Sequence, residues 1–369
     1  MTRLITLLKS SFTKQGGAEK YARLLAHAFH QKGCHVRVLT TEPALGDFPF
    51  EVISFLPKSK TSVSKLWDFE GFCEKYLKKH PSDIVFGLDR NRFQTHLRAG
   101  SGVHRSFLLH RKKFEPKWKC FRHMLNPLHS SLLHIEKTSF EHPELKVLFT
   151  NSNLVKEEIL SHYVIDPSKI IVVHNGVEWQ KWQAEFDSSI NTPRTNCYQF
   201  LFLGNNFERK GLRPLLMGLK NLPREVFHLT VVGYDKHQKR FCNLAEKLGL
   251  SHNVTFCGPK SDICSYLQKA DCLVIPSFYD PFANVTVEAL AMGLFVVSSK
   301  TNGGCEVLTK ENGCIIENLG DEAAMQQALE TALKHPKTPE NALKVRNSVQ
   351  YLDFSTQLNT YLEKCLSPT

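Results

Sequence analysis

Three short stretches place glycine and ionisable residues where an anionic ligand can be handled. In SSFTKQGGAEK, Gly16 and Gly17 follow a polar loop and open a helical pattern. Bare backbone there lets a ligand approach closely, and a helix start favours negative charge. In FLGNNFERKGL an apolar run ends at Gly204, and Arg209 and Lys210 precede Gly211. A guanidinium fork and an ammonium point charge together hold a diphosphate without a metal. In FYDPFANVTVEALAMG, Asp280 stands before Asn284, which reads as the cap of a helix ending near Gly293. Glu288 follows Asp280 by eight residues, on the first or second turn of that helix. Carboxylates accept hydrogen bonds from vicinal hydroxyls, so one can grip a hexose and the other a ribose, while helix-start amides bind phosphate. Each stretch alone also has a plain reading: a glycine-rich βα turn, a solvated Arg–Lys pair, and a first-turn carboxylate favoured by the helix dipole.

The elements that carry these stretches alternate. Leu4–Leu8 is a short apolar strand, the segment after Gly17 has a helical face of Tyr21, Leu24, Leu25 and Ala28, and residues 35–41 and 83–87 are further strands. A second series of the same kind begins at Gln199 with QFLFLG, HLTVVG, NVTFCG, CLVIPS and FVVSS, each run followed by a helical stretch. Strand and helix alternating at this pace predict parallel, doubly wound sheets. Two consecutive series predict an α/β chain of two facing Rossmann-like domains, with ligands at the strand C-termini. The polar stretch 187–196 reads as the linker, which sets domains at 1–186 and 187–345. Residues 346–369, with a helix over 347–365, are expected to return to the first domain.

The 369 residues carry 47 Lys+Arg against 36 Asp+Glu, a formal +11 that favours acidic partners. No apolar run reaches the length of a spanning helix, and the N-terminal run reads as a buried strand rather than a signal peptide. Eleven scattered cysteines without a CxxC pair point to reduced thiols in the cytosol. HExxH, DxD, G-x-G-x-x-G and P-loop patterns are absent, and His123, His129 and His134 are spaced too unevenly to compel a metal site. One segment breaks the alternation: over 105–122, Arg105, Arg111, Lys112, Lys113, Lys117, Lys119 and Arg122 interleave with Phe107, Leu108, Leu109, Phe114, Trp118 and Phe121. A nucleic-acid footprint lacks any supporting motif. An interfacial segment, with basic heads on anionic lipid and rings at the headgroup boundary, accounts for both residue types.

Order and spacing together are more specific than any one stretch. With GGAE, HNGVE, the K-G turn, the carboxylate pair ahead of ALAMG, and TNGGCEVL at 301–308, the chain resembles the retaining GT-B glycosyltransferases of family four over nearly its whole length. RAGSGVHRSFL makes it most similar to those that add glucose to the lipopolysaccharide inner core. The resemblance implies an active site in the cleft between the two domains and transfer of glucose from UDP-glucose to a glycolipid acceptor. It implies no cofactor and no metal. Gly16, Gly17, Gly204, Arg209, Lys210, Asp280, Phe282, Ala283, Asn284, Val285 and Glu288 would bind the donor, and His104, Arg209, Lys210 and Asp280 would be catalytic. Ser101, His104 and Arg105 would meet the acceptor, and Arg111, Lys112, Lys113, Lys117, Trp118, Lys119, Phe121 and Arg122 the anionic membrane. The expected partners are therefore a nucleotide sugar, a glycolipid and the inner face of the cytoplasmic membrane, for a cytoplasmic monomer that binds no nucleic acid. Two residues depart from the family pattern: Asp280 replaces the usual Glu, and Ser101 replaces an Asp with an assigned catalytic role. These leave open a different acceptor, or a glycan- or membrane-binding protein with little turnover.

Overall fold

A computed structural model describes residues 3–13, 17–43, 46–191 and 194–367, apart from the side chains of residues 117, 121 and 124. Gly16 lies outside the described residues. The chain divides into two compact units, residues 1–173 with 357–369, and residues 174–356.

The first unit runs β1 (Leu4–Leu8), α1 (Gly17–Gln31), β2 (His35–Thr40), β3 (Glu51–Ser54), α2 (Ser62–Lys79), β4 (Ile84–Gly87), β5 (His96–Arg98), α3 (His104–Arg111), α4 (Lys117–Met124), α5 (Pro127–Phe140), β6 (Val147–Thr150), α6 (Asn153–His162) and β7 (Ile170–Val172). Its seven strands lie in the order β3-β2-β1-β4-β5-β6-β7, all parallel. The second unit runs α7 (Gln183–Ile190), β8 (Tyr198–Leu203), α8 (Leu212–Leu219), β9 (Phe227–Val232), α9 (Gln238–Lys247), β10 (Val254–Gly258), α10 (Cys264–Lys269), β11 (Cys272–Ile275), α11 (Asn284–Ala291), β12 (Phe295–Ser299), β13 (Gly313–Ile316), α12 (Glu322–Leu333) and α13 (Pro339–Asn347). Its six strands lie in the order β10-β9-β8-β11-β12-β13, again all parallel. A final helix, α14 (Phe354–Leu366), carries Tyr361, which is buried 4.4 Å from the Phe149 ring and accepts a hydrogen bond from Arg98 at 3.2 Å.

Parallel strands covered on both faces must be apolar throughout, which is why LITLL, CLVI and FVVSS are buried along nearly their whole length. The strand order reverses direction between β1 and β4 in one unit and between β8 and β11 in the other. The loops leaving the strand ends at such a point diverge and leave a crevice, the usual ligand position in open parallel sheets.

Three sequence expectations change. The stretch read as a linker begins inside a helix, since α7 runs through Ile190: it places Phe186 and Ser189 in the interior, with Trp182 and Ile190 packed on the same core at helical spacing. Gln183, Asp187 and Ser188 are exposed on the other face, and the compact units divide at 173/174 rather than 186/187. The helix expected over 347–365 begins only at Phe354, since α13 ends at Asn347 and a 3-10 turn at Gln350–Leu352 follows, and the chain groups with the first unit from 357 rather than 346. The basic aromatic segment is likewise broken, with α3 ending at Arg111 and Pro116 standing at the cap of α4.

Candidate functional site

The crevice in the second unit is built from the two loops at the β8/β11 reversal. Gly204 ends β8, and its amide donates to Val232 O at 3.0 Å. Gly233 faces it with φ +139°, where a Cβ would lie 2.0 Å from Gly204 O, so neither strand end can carry bulk at the floor. Asn205 Oδ1 accepts from Tyr234 N at 2.8 Å, and Asp235 Oδ2 accepts from Phe207 N at 2.8 Å, which ties the turn to the end of β9. The turn closes at Gly211, φ +79°, where a Cβ would meet Pro276 O at 1.8 Å. Only glycine lets α8 start this close to the loop after β11, and that closeness brings Lys210 to Asp280.

Asp280 is held by its backbone from both sides. Its amide donates to Thr301 O at 3.0 Å and its carbonyl accepts from Gly303 N at 2.9 Å. Its carboxylate accepts from Lys210 Nζ at 2.5 Å and lies 3.6 Å from Arg209 Nη1, which also donates to Tyr279 O at 2.9 Å. Behind this cluster, α11 begins one residue earlier than expected. Ala283 occupies the cap position and has no side-chain acceptor; Asn284 is already helical, and its Oδ1 accepts from Asn175 Nδ2 at 2.6 Å. Asn302 anchors the residue at the cap position instead, since its Oδ1 accepts from Ala283 N at 3.0 Å.

The resulting cleft has a volume of about 420 Å³. Gly204, Lys210, Asp280, Phe282, Ala283, Asn284 and Val285 line it, as expected from the sequence. Arg209 and Glu288 are not on its wall: Arg209 reaches it through Asp280, and Glu288 is half-buried one turn into α11. Asn205, Gly233, Pro259, Lys260 and Ile263 also line it and were missed. The signal for Lys260 was available, because it follows the strand NVTFCG, and every loop after a parallel strand faces the crevice edge. The cleft therefore presents a lysine pair, one carboxylate and a helix start, a set that binds a phosphorylated, hydroxyl-bearing ligand.

In the first unit, Gly17 is the exposed first residue of α1, and Ser101 sits exposed in the turn before α3. The loop between β1 and α1 is held by Glu42, whose carboxylate accepts from Phe12 N, Thr13 N and the Ser11 and Thr13 hydroxyls at 2.7–2.9 Å. Burial pushes this carboxyl up, but those bonds carry it well below the usual carboxylate range. His104 does not stand open to an acceptor. It is 7% exposed, its amide donates to Glu136 at 2.6 Å, and its Nε2 pairs with His129 Nδ1 at 3.0 Å. Burial first, then Arg90, pushes its imidazole down to about 4, which favours the neutral ring. Arg105 has an exposed side chain, and its amide also donates to Glu136. The histidines dismissed on spacing do meet: the His123 and His129 rings are 5.4 Å apart because α4 and α5 fold together. Among the described residues no group of three or more His, Cys, Asp or Glu side chains could hold a metal ion.

The membrane set splits. Arg111 is forked on Glu115 at 2.8 and 3.0 Å and touches His123, which removes it from any lipid-facing role. Lys112, Lys113 and Arg122 are exposed, and Trp118 is 61% exposed beneath Lys119 and Arg122 at 5.6 and 5.8 Å. The side chains of Lys117 and Phe121 are outside the described residues.

Each unit is a parallel α/β sheet, and the crevice at the strand-order reversal of the second suits a phosphorylated ligand. The model described as Glycosyltransferase Family 4 matches residues 15–181, and that described as Glycosyl transferases group 1 matches residues 183–346. The chain belongs to the GT-B glycosyltransferases of this family. It is 26% identical over 351 residues to the lipopolysaccharide glucosyltransferase WaaG of Escherichia coli (strain K12), covering 92% of this chain and 91% of that protein. The crystal structure of WaaG, a glycosyltransferase involved in lipopolysaccharide biosynthesis, superposes with a TM-score of 0.78 at 23% identity, covering 99% of this chain and 100% of that one. Anabaena Alr3699/HepE in complex with UDP and glucose superposes with a TM-score of 0.68 at 18% identity, covering 99% and 100%.

Proposed function

We propose that this glycosyltransferase moves glucose from UDP-glucose to a lipopolysaccharide inner-core acceptor, with retention and without a metal. The observation that carries the reading is the cluster of Lys210, Arg209 and Asp280 at the start of α11, which pairs cations for a diphosphate with a carboxylate for sugar hydroxyls. Gly204, Lys210 and the first-turn amides of Asn284 and Val285 take the diphosphate, Asp280 faces the hexose, and Glu288 takes the ribose. The names of WaaG and of the HepE complexes support the sugar, the nucleotide and the acceptor class.

Chemistry on one face of the sugar needs no protein base. As the bond from the anomeric carbon to the diphosphate breaks, the leaving oxygen takes the proton of the acceptor hydroxyl, which bonds to the same face. Lys210, Arg209 and the helix start stabilise the charge that develops on the diphosphate. The neutral, enclosed state of His104 is consistent with this division of labour, and Ser101 and Arg105 are left to position the acceptor.

The acceptor is lipid-anchored, so the enzyme works at the inner face of the cytoplasmic membrane as a peripherally bound monomer. Exposed Trp118, Leu109 and Leu125 beside Lys112, Lys113 and Arg122 supply the docking face. No helix among the described residues is long and apolar enough to cross a membrane.

The test is transfer from carbon-13-labelled UDP-glucose to purified heptose-terminated lipopolysaccharide, followed by mass spectrometry and NMR of the anomeric carbon. A gain of one hexose with α-configuration, at a rate unchanged by EDTA, is expected. Binding of acceptor without hexose gain from UDP-, ADP- or GDP-glucose would instead identify a glycan-binding protein.

A further inference from the structure

Asn302 is fully buried, and its amide is engaged at both ends. Its Oδ1 accepts from Ala283 N at 3.0 Å and Gly304 N at 3.2 Å; its Nδ2 donates to Ser298 Oγ at 2.9 Å and lies 3.5 Å from Thr286 Oγ1. The same residue forms an isolated parallel bridge with Asp280, flanked by the Asp280 N to Thr301 O and Gly303 N to Asp280 O bonds. A single side chain thus anchors the residue from which α11 starts, while its backbone fixes the residue that carries the carboxylate. Asp280, Asn284 and Val285 all line the cleft, and Asn302 holds the chain at Asp280 by its backbone and at Ala283 by its side chain.

We propose that Asn302 is the positioning residue of the donor cleft: it sets the distance between the Asp280 carboxylate and the first-turn amides of α11, and so the spacing at which a sugar and a diphosphate are held together. This rests on the donor-site reading above. The residue type follows from the chemistry. An alanine leaves two buried N–H groups without an acceptor. An aspartate accepts both but places a negative charge behind a helix start that is to bind phosphate. An amide accepts on one side and donates to the Ser298 hydroxyl on the other, and the two backbone N–H donors fix which end is the oxygen. Misplacement of such a frame by about 1 Å is enough to cost a large factor in rate.

The test compares full-length N302A, S298A and N312A with wild type. Asn312 is an equally buried asparagine that binds the backbone at Thr309 N and the Ser348 hydroxyl, remote from the cleft wall, and it controls for loss of stability alone. UDP affinity is measured by calorimetry, with ADP and GDP in parallel, and kcat and KM for UDP-glucose are measured on each folded variant. The expected result is UDP binding weakened on the order of ten-fold in N302A, with kcat reduced as well. S298A should show a smaller loss in the same direction, and N312A a lower melting temperature with wild-type affinity and kcat. Wild-type constants in N302A, or equal losses in N302A and N312A, would overturn the role of Asn302 while leaving the donor site intact. If N302A does not fold, unchanged affinity and kcat in S298A overturn it. Failure of wild type to bind any of the three diphosphates would overturn the donor-site reading and this inference together.

Discussion

Asp280 holds Lys210 at 2.5 Å and has Arg209 at 3.6 Å, so a phosphate that uses these cations competes with the carboxylate for them. Asp280→Asn removes both the competition and the like-charge repulsion of a diphosphate, yet it weakens the grip on the sugar. UDP affinity is expected to rise roughly five-fold, the worth of about 1 kcal/mol, while transfer falls by at least ten-fold. Calorimetry with UDP and steady-state kinetics with UDP-glucose separate the two effects, and parallel loss of both would mean that Asp280 only scaffolds the loop. Gly211 makes the opposite case, a residue whose whole contribution is backbone. A Cβ at φ +79° would lie 1.8 Å from Pro276 O. Gly211→Ala should therefore destabilise the fold by about 2–4 kcal/mol in urea titration; a loss below about 1 kcal/mol would show that the two loops separate easily. Both residues stand in a motif the sequence displays openly. Asn302 stands in the TNGGCEVL stretch, but its role there is not legible, because three of its partners are 4–19 residues away and meet only in the folded loop.

At the scale of elements, the legible parts are those with a single physical cause. Uninterrupted apolar runs became central parallel strands, and the glycines after them became crevice turns. What stayed hidden depends on which face of a polar segment is covered. The stretch DSSI looks like the start of a linker until Ser189 and Ile190 meet the core on the same helix as Phe186, and the His104–His129 pair needs α3 and α5 to be packed together. The loop after β1 shows how an element is held by one side chain from elsewhere. Glu42, at the end of β2, gathers two backbone amides and two hydroxyls of residues 11–13. Its folded pKa is depressed, so its contribution is complete above the unfolded value near 4.3 and is lost as pH falls through and below that value. Glu42→Gln should cost about 1.5–3 kcal/mol at pH 7. The gap between mutant and wild type should narrow as the pH is lowered from 5 towards 2. Melting temperatures across that range decide the matter; a gap independent of pH would assign the effect to packing rather than to the ionised carboxylate.

For the molecule as a whole, a formal +11 is useful only if part of it is presented as a surface. Near α3 and α4 the sequence counts seven cations, but the fold withdraws Arg111 into the Glu115 fork and leaves Lys112, Lys113 and Arg122 outward, beside Trp118 and Leu125 at 61% and 69% exposure. A solvated charged face accounts for the lysines but gives no reason to expose an indole and a leucine together. An interfacial face accounts for both, since rings and aliphatic chains sit at the headgroup boundary while cations meet anionic lipid. Each such cation is worth about 1 kcal/mol near an anionic leaflet, so the triple change Lys112→Gln, Lys113→Gln, Arg122→Gln should weaken vesicle binding on the order of 100-fold and flatten its salt dependence. Trp118→Ala should weaken binding several-fold without changing the salt slope, because it removes area and no charge. Arg111→Gln serves as the internal control: it should lower the melting temperature through the lost Glu115 fork and leave vesicle affinity unchanged. Co-sedimentation with phosphatidylglycerol vesicles against phosphatidylcholine vesicles reads all three. Equal binding to both lipids, or an Arg111→Gln loss as large as that of the triple variant, would remove the membrane from the function of this face.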